Sequence, residues 1–158
     1  MFSRPNTDTP KQTLKNIIDL NAYTINHVNS KILHRSHATS KKFSPSESEF
    51  IHCNLEEQYV GDFQAPFVKE CSLGIGVSYR RHFTIEENGV VMIIGEIDKI
   101  IVDEQFISET GEVHLSSLDS IGVAGNNSYY SLKLLSSLEY VSSDNNEMVS
   151  KLLELDRS

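Results

Sequence analysis

The feature that most constrains the fold is a pair of apolar, β-branched runs on either side of an Asn-Gly dipeptide. The runs cover residues 72–85 and 90–102, and the dipeptide is Asn88-Gly89. Two such runs around Asn-Gly are the strongest short-range signal for a hairpin of two antiparallel strands. Residues 90–94 are apolar without a break, which predicts a strand buried on both faces. The chain is therefore expected to be organised around one long β-hairpin.

Short helices are predicted before the hairpin. Thr9 is a capping residue, Pro10 occupies the first helical position and Gln12 the third, and an apolar stripe at helical spacing follows over residues 14–18. This helix is expected to run to about residue 21. The composition of residues 22–28 is typical of an extended segment, and that of residues 39–49 is typical of a loop.

A second short helix is predicted between those two segments, capped by Asn29 or Ser30 and ending near residue 38. After the hairpin, residues 122–130 are expected to form an irregular loop, and residues 132–140 either a strand or a helix. Asp144, followed by Glu147, indicates a final helix. These patterns divide the chain into one domain over residues 1–142 and a C-terminal helix over residues 143–158.

Three glycines lie inside the predicted strands. Gly74, Gly76 and Gly95 stand where a strand normally carries a side chain, so they indicate bulges, barrel corners or a close approach by a ligand or another backbone. The Gly74-Ile75-Gly76 segment lacks the third glycine and the following helix of a dinucleotide-binding loop. A Rossmann fold is therefore excluded.

The distribution of charge excludes some classes of partner. The 158 residues carry a formal net charge of −8, which argues against binding to nucleic acid or to an anionic membrane. Residues 1–42 nevertheless have a net charge of +5, and the rest of the chain −13. An anionic ligand would therefore be expected to bind to the first quarter of the chain. With no apolar run long enough to span a membrane and no signal peptide, we expect a cytoplasmic protein.

Cysteine and histidine give weaker indications. Cys53 and Cys71 have no metal-binding spacing, and we interpret both as packing residues. His34 and His37 stand three residues apart, but no third ligand lies nearby, so a solvated turn is favoured over a metal site. No nucleophile elbow or phosphate-binding glycine loop occurs in the sequence. Catalytic residues therefore remain unassigned.

A series of short motifs resembles the flavin reductase-like, FMN-binding split-barrel family, also called flavoredoxin-like. The motifs follow the family's order over residues 1 to about 130, across its C-terminal two-thirds. They include the following segments: Thr9-Pro10-Lys11-Gln12-Thr13-Leu14-Lys15-Asn16-Ile17, Tyr23-Thr24-Ile25-Asn26, His37-Ala38-Thr39-Ser40, Ser48-Glu49-Phe50, Val68-Lys69-Glu70, Ile94-Gly95-Glu96-Ile97, Leu118-Asp119-Ser120-Ile121 and Gly125-Asn126-Asn127-Ser128-Tyr129.

The resemblance implies a β-centred α+β fold, a split β-barrel with short peripheral helices. The family's opening strands have no counterpart ahead of Met1, so the barrel is expected to be incomplete at its N-terminus. The resemblance further implies an FMN-binding homodimer that passes hydride from NADH or NADPH to the flavin. The implied binding residues for the FMN phosphate lie at the first helix and at the threonine-serine turn: Lys11, Thr13, Thr39, Ser40 and Lys41.

General chemistry agrees with that placement, because a helix N-terminus and nearby cations and hydroxyl groups suit a phosphate. An alternative function stays open, in which the chain is a non-catalytic split-barrel remnant that serves as a small-ligand or protein interaction module. The absence of the family's opening strands, together with Cys71-Ser72 in place of the family's Ser-Pro and Asn126 in place of a glycine, motivates this alternative. An interaction protein without any ligand is a third hypothesis.

Overall fold

The protein is a curled antiparallel sheet with short helices around it. A computed structural model describes residues 1–3 and 11–155. The strands are β1 (Phe2–Ser3), β2 (Ala22–Asn26), β3 (Glu57–Gln58), β4 (Phe67–Val68), β5 (Leu73–Thr84), β6 (Val91–Val102), β7 (Ile121–Ala124) and β8 (Ser128–Ser131). The α-helices are α1 (Gln12–Leu20), α2 (Leu33–Ala38), α3 (Glu49–His52) and α4 (Asn146–Leu155), and 3-10 turns cover Ser30–Ile32 and Glu104–Phe106.

The predicted hairpin is confirmed as the pair β5 and β6. In its turn, the N–H of Gly89 donates to the carbonyl of Ile85 at 2.7 Å, and the side chain of Asn88 accepts from the N–H of Val90 at 2.9 Å. Gly89 has a φ of 68°, which an L side chain rarely adopts. The pair forms the centre of a four-stranded antiparallel sheet of order β1-β6-β5-β2. The predicted β-centred α+β architecture is thereby confirmed.

Two irregularities curl this sheet. The register of β5 against β6 shifts between Gly76 and Val77 and again between Tyr79 and Arg81. Such β-bulges bend the bulged strand and increase its twist. The sheet therefore closes part of the way into a half-barrel instead of remaining flat.

The glycine in β6 allows a close approach inside this curled sheet. A Cβ added to Gly95 would lie 2.4 Å from Cγ1 of Val77 and 2.9 Å from the backbone oxygen of Ser78. Both distances are shorter than carbon atoms tolerate without movement. The expected close approach at Gly95 is confirmed, and it comes from the neighbouring strand.

Both faces of the sheet carry buried side chains. On one face α1 supplies Leu14 and Ile17, as its apolar stripe predicted, and the cluster they join is completed by Tyr23, Val77, Val91 and Ile93. A second cluster combines a residue of β2 with the segment before β5, and its members are Ala22, Phe63, Ala65 and Phe67. The sheet is thus the middle layer of the protein, and α1 is held against it by apolar contact.

The expectation of a strand buried on both faces is wrong for residues 90–94. Val91 and Ile93 are buried beneath α1, whereas Ile94, on the opposite face, is 37% exposed. Burial therefore alternates along this part of β6, as in an antiparallel strand with one covered face. A continuous apolar run shows that both faces of a strand are apolar, but the segments that pack against the strand decide which of these faces is buried.

The region after the hairpin also departs from expectation. The predicted loop over residues 122–130 is instead a small hairpin of β7 and β8, and Gly125 adopts a φ of 61° in its turn. Residues 132–140 have neither a strand nor a helix. The final helix is present as α4, but Asn145, not Asp144, caps it, because its side chain accepts from the N–H of Met148 at 3.0 Å. The division at residue 142 stays a prediction.

In the described part of the chain, no helix has the length and apolar character needed to cross a membrane.

Candidate functional site

The first two predicted site residues, Lys11 and Thr13, lie at the start of α1. The helix begins at Gln12, two residues later than predicted, with Lys11 in an extended conformation at the N-cap position. Thr9 and Pro10 lie outside the described residues. The side chain of Lys11 makes no capping hydrogen bond, and the first turn of α1 carries no acidic residue. The first-turn N–H groups and the positive end of the helix dipole therefore form a favourable environment for an anion.

The other three predicted site residues, Thr39, Ser40 and Lys41, follow directly after α2. The N–H of Thr39 donates to Ser36, that of Ser40 to the carbonyl of His37 at 3.0 Å, and that of Lys41 to Ala38. The predicted turn is therefore continuous with the last residues of the helix. The hydroxyl of Thr39 also donates to the carbonyl of Ser36 at 2.7 Å, so it must rotate before it can donate to a ligand.

Lys41 contacts the loop that follows. Its Nζ lies 4.7 Å from the ring centroid of Phe43, and that ring stacks on His52 with centroids 5.3 Å apart. Nε2 of His52 is 3.3 Å from Oε1 of Glu47. Hydrogen bonds from the backbone and side chain of Ser44 are the main cause that lowers the pKa of Glu47 below its ordinary value, and His52 and Lys41 add to this. Lys41 is an exposed residue.

The two groups of predicted residues come from separate elements that meet through this loop. Nε2 of Gln12 lies 3.4 Å from the carbonyl oxygen of Pro45, a weak hydrogen bond that joins the start of α1 to the loop after Lys41. This contact brings the start of the helix that carries Thr13 against the loop that follows Lys41. Thr39, Ser40 and Lys41 precede it on the chain.

A cavity of about 280 Å³ adjoins the start of α1. Thr13 and Asn16 line it from the helix, Thr24 from β2, Phe50 from α3 and Pro66 from the segment before β4. Glu49 also lines it, so the cavity combines a carboxylate with amide and hydroxyl groups, an aromatic ring and a proline. Thr13 is the predicted site residue that borders it, and Thr39, Ser40 and Lys41 do not.

An ion pair that sequence reasoning missed connects α2 to the start of β5. Nη1 of Arg35 lies 2.8 Å from Oε1 of Glu70 and 2.5 Å from the backbone oxygen of Asn54, while Oε2 of Glu70 accepts from the N–H of Glu56. Burial raises the pKa of Glu70, but the backbone hydrogen bonds from Glu56 and from Glu70 itself, together with Arg35, lower it below its ordinary value. This carboxylate holds three chain segments together.

The β7–β8 hairpin is docked on the same helix. Nδ1 of His37 lies 2.6 Å from the hydroxyl oxygen of Tyr129, and the two rings meet edge to face. Just before the hairpin, the side chain of Asp119 accepts from the N–H of Ser30, in the 3-10 turn that leads into α2, at 3.2 Å and also from the hydroxyl of Ser30. The two residues of each contact are about 90 positions apart, so no local pattern signals them. In the described residues, no group of three or more side chains suited to bind a metal is found.

Both cysteines are free thiols. Cys53 is buried and Cys71 is half-buried, in keeping with their interpretation as packing residues. Burial, followed by the negative charge of Glu70, raises the pKa of Cys71 to about 11. A thiol in such an environment is a poor nucleophile at neutral pH.

Comparison with known proteins shows one clear likeness. No family model matches the sequence. A putative flavin reductase with a split barrel domain from Shewanella frigidimarina NCIMB 400 superposes with a TM-score of 0.84 at 37% identity, over 89% of this chain and 69% of that one. An uncharacterised protein of Aquifex aeolicus (strain VF5) is 26% identical over 131 residues, and the chain spans 66% of the length of that relative, just under two thirds.

Two more distant structures share the fold. Nitrilotriacetate monooxygenase component B from Bacillus cereus has a TM-score of 0.76 at 21% identity, over 87% of this chain and 70% of that one. Flavoredoxin of Desulfovibrio vulgaris (Miyazaki F) has a TM-score of 0.69 at 20% identity, over 89% and 73% respectively. At these identities the likeness speaks for the backbone architecture alone.

Proposed function

This chain belongs to the flavin reductase-like, FMN-binding split-barrel family, and we propose that it is a flavoprotein that binds FMN and passes hydride to it from NADH or NADPH. The observation that carries the proposal is the agreement in both sequence and backbone with the putative flavin reductase from Shewanella frigidimarina. That agreement covers 89% of this chain.

The residues we assign to the FMN phosphate are Lys11 and Thr13 at the start of α1, and Thr39, Ser40 and Lys41 after α2. Lysine ammonium groups supply charge, hydroxyl groups donate hydrogen bonds, and the start of α1 offers N–H groups and a positive dipole end. The lack of an acidic residue in the first turn of α1 fits this assignment, because a carboxylate there would compete with the phosphate.

The cavity beside Thr13 suits a further part of the same ligand. Its volume of about 280 Å³ lies just below the usual range of roughly 300–1,000 Å³ for pockets that hold a whole small molecule. Phe50 and Pro66 provide apolar walls, Asn16 and Thr24 provide polar groups, and the carboxylate of Glu49 favours a portion of the ligand other than the phosphate. We therefore assign the cavity to a portion of the flavin nucleotide rather than to all of it.

The flavin, when bound, supplies the hydride acceptor, and the protein supplies binding and orientation. No acid or base is needed among this chain's residues for that division of roles. We also propose a homodimer in the cytoplasm. Ile25, Ile75 and Ile100 form one cross-strand row, in which Ile25 is 41% and Ile100 60% exposed, and a second copy would cover this row.

The test is a titration of the purified full chain with FMN, followed by flavin fluorescence quenching and by the absorption spectrum. We expect quenching, flavin bands in the spectrum, and oxidation of NADH or NADPH that requires added flavin. Lys11→Ala and Thr13→Ala should each raise the Kd for FMN, the lysine change by about tenfold or more, as expected for a charge-assisted hydrogen bond. Lys42→Ala is the matched control, an exposed lysine to which we assign no role.

Failure of the wild-type chain to bind FMN would overturn the proposed function. Binding of FMN without any oxidation of NADH or NADPH would favour the non-catalytic module instead. Equal Kd values for Lys11→Ala, Thr13→Ala and Lys42→Ala would overturn the assigned phosphate site while leaving flavin binding intact.

A further inference from the structure

We propose that Tyr129 is a positioning residue for the turn formed by Thr39, Ser40 and Lys41, and that it acts through His37. The inference rests on the proposed function, since it concerns the turn that we assign to the FMN phosphate. Its starting point is the contact between β8 and α2, in which the Tyr129 hydroxyl lies 2.6 Å from Nδ1 of His37. The rings stand at 86° with their centroids 5.7 Å apart, a favourable edge-to-face arrangement.

His37 transmits this contact to the turn through its backbone. Its carbonyl oxygen accepts the N–H of Ser40 at 3.0 Å, and the next carbonyl, that of Ala38, accepts the N–H of Lys41 at 3.2 Å. A displacement of His37 therefore displaces Ser40 directly. The side chain of His37 faces Tyr129 while its main chain holds Ser40, so one residue joins β8 to the predicted phosphate turn.

Helix α2 has little stability of its own to hold that turn in place. It has six residues, none of them buried, and isolated helices of this length are unstable in water. Its entry is fixed by Asp119 on Ser30, by the bridge between Asn29 and Ser120, and by the N–H of Ile121, which donates to Val28. Tyr129 belongs to the same β7–β8 hairpin that follows these residues. Residues 119–121, at the base of the hairpin, thus hold the chain that leads into α2, and Tyr129 contacts the end of α2 that carries the turn.

Placement matters because a phosphate is bound well only by donors held in position before it arrives. When the hydroxyl of Tyr129 is removed, Ser40 and its neighbours should sample more conformations, and each must be ordered again on binding. We expect Tyr129→Phe to raise the Kd for FMN by about three- to tenfold, the range of one modest hydrogen bond. The Kd for riboflavin, which lacks the phosphate, should not change.

The experiment compares Tyr129→Phe with Tyr130→Phe, a neighbouring tyrosine that is exposed and lies on the opposite face of β8. Hydrogen exchange of the ligand-free full chain is measured first, and the amides of Ser40 and Lys41 should exchange faster in Tyr129→Phe alone. Titrations with FMN and riboflavin follow. His37→Phe and the double variant should lose no more FMN affinity than Tyr129→Phe does, because the two side chains form one contact.

The outcomes separate the two proposals. Unchanged exchange at Ser40 and Lys41 in Tyr129→Phe would overturn the positioning role whether or not the protein binds flavin. Equal losses for FMN and riboflavin would also overturn it, since they would indicate a general loss of structure. A wild-type chain that ignores FMN but shows the faster exchange in Tyr129→Phe would support the contact and refute the proposed function.

Discussion

The β5–β6 hairpin and the segment over residues 132–155 are both rich in large apolar residues, but the two regions differ in how many of these residues are buried. Ile93 in β6 is 1% exposed, whereas Leu135 is 92% exposed. No residue of α4 is buried, although the helix has an amphipathic pattern. The difference teaches that burial is decided by the partners that an apolar segment finds, because composition is similar in the two regions.

The hairpin finds its partners through long-range pairing. Strand β5 lies between β2 and β6, α1 packs on one face, and Phe63 and Phe67 pack on the other. The C-terminal segment follows the last strand and pairs with no strand of the described residues. Its apolar side chains therefore add little to the stability of the isolated chain.

The largest effect should come from the centre of the hairpin. Ile93→Ala removes a fully buried side chain from the cluster beneath α1 and should lower the free energy of unfolding by about 4 kcal/mol. Chemical denaturation followed by circular dichroism measures this. Ile97→Ala, four residues along the same strand but 59% exposed, is the control and should cost about 1 kcal/mol or less. Equal losses would contradict the assignment of the core.

A smaller effect is expected where the curled sheet is tightest. Gly95→Ala places a Cβ against Val77 and the backbone of Ser78, so the strands must move apart, at a cost of about 2 kcal/mol. At Gly76 an added Cβ meets ring atoms of Phe63 and Phe67 at 3.1 Å, which can shift. Gly76→Ala should therefore cost less in the same denaturation experiment. A larger loss of stability for Gly76→Ala than for Gly95→Ala would contradict the assignment of the tightest contact to Gly95.

The ion pair beside the hairpin should give an effect of about 1 kcal/mol, and one that depends on pH. The pKa of Glu70 is lower in the folded than in the unfolded chain, so its stabilising effect is complete above the ordinary value of 4.5 and is lost as the pH falls through the folded value. Glu70→Gln should therefore destabilise at pH 7, and the difference from wild type should shrink in acid. Exposed Glu109→Gln serves as the control. A deficit for Glu70→Gln that persists unchanged at low pH would exclude the charge as its cause.

The smallest effect is expected in the C-terminal segment. Leu135→Ala should change the free energy of unfolding of the monomer by no more than about 0.5 kcal/mol, because the side chain is almost fully exposed. The measurement is made at low protein concentration and repeated at high concentration. A loss comparable to that of Ile93→Ala at low concentration would show that this segment is buried within one chain.

Local patterns predicted much of the first two thirds of the fold. Asn88-Gly89 located the central turn, the stripe containing Leu14 and Ile17 located α1, and Asn29 caps the 3-10 turn ahead of α2, as its side chain accepts from the N–H of Lys31. Each signal acts within a few residues, which is why sequence alone reveals it. The small hairpin of β7 and β8 was missed because its glycine and asparagines are equally typical of a loop.

The candidate site was less predictable than the fold. Lys11, Thr13, Thr39, Ser40 and Lys41 were chosen through a family resemblance, and their role in binding stays a proposal. The contacts of Glu70 with Arg35 and of Tyr129 with His37 join residues 35 and 92 positions apart. Nothing in the spacing of these residues marks them, since the fold brings them together.

The sequence by itself determined where the chain turns, which face of α1 is apolar, and that positive charge gathers in the first 42 residues. These properties depend on neighbours along the chain. Only the tertiary structure decided that one face of β6 stays open, that the β7–β8 hairpin holds α2, and that Thr13 borders a cavity. The reason is physical: burial and long-range hydrogen bonds depend on which segments meet, and that is settled by the whole chain folding at once.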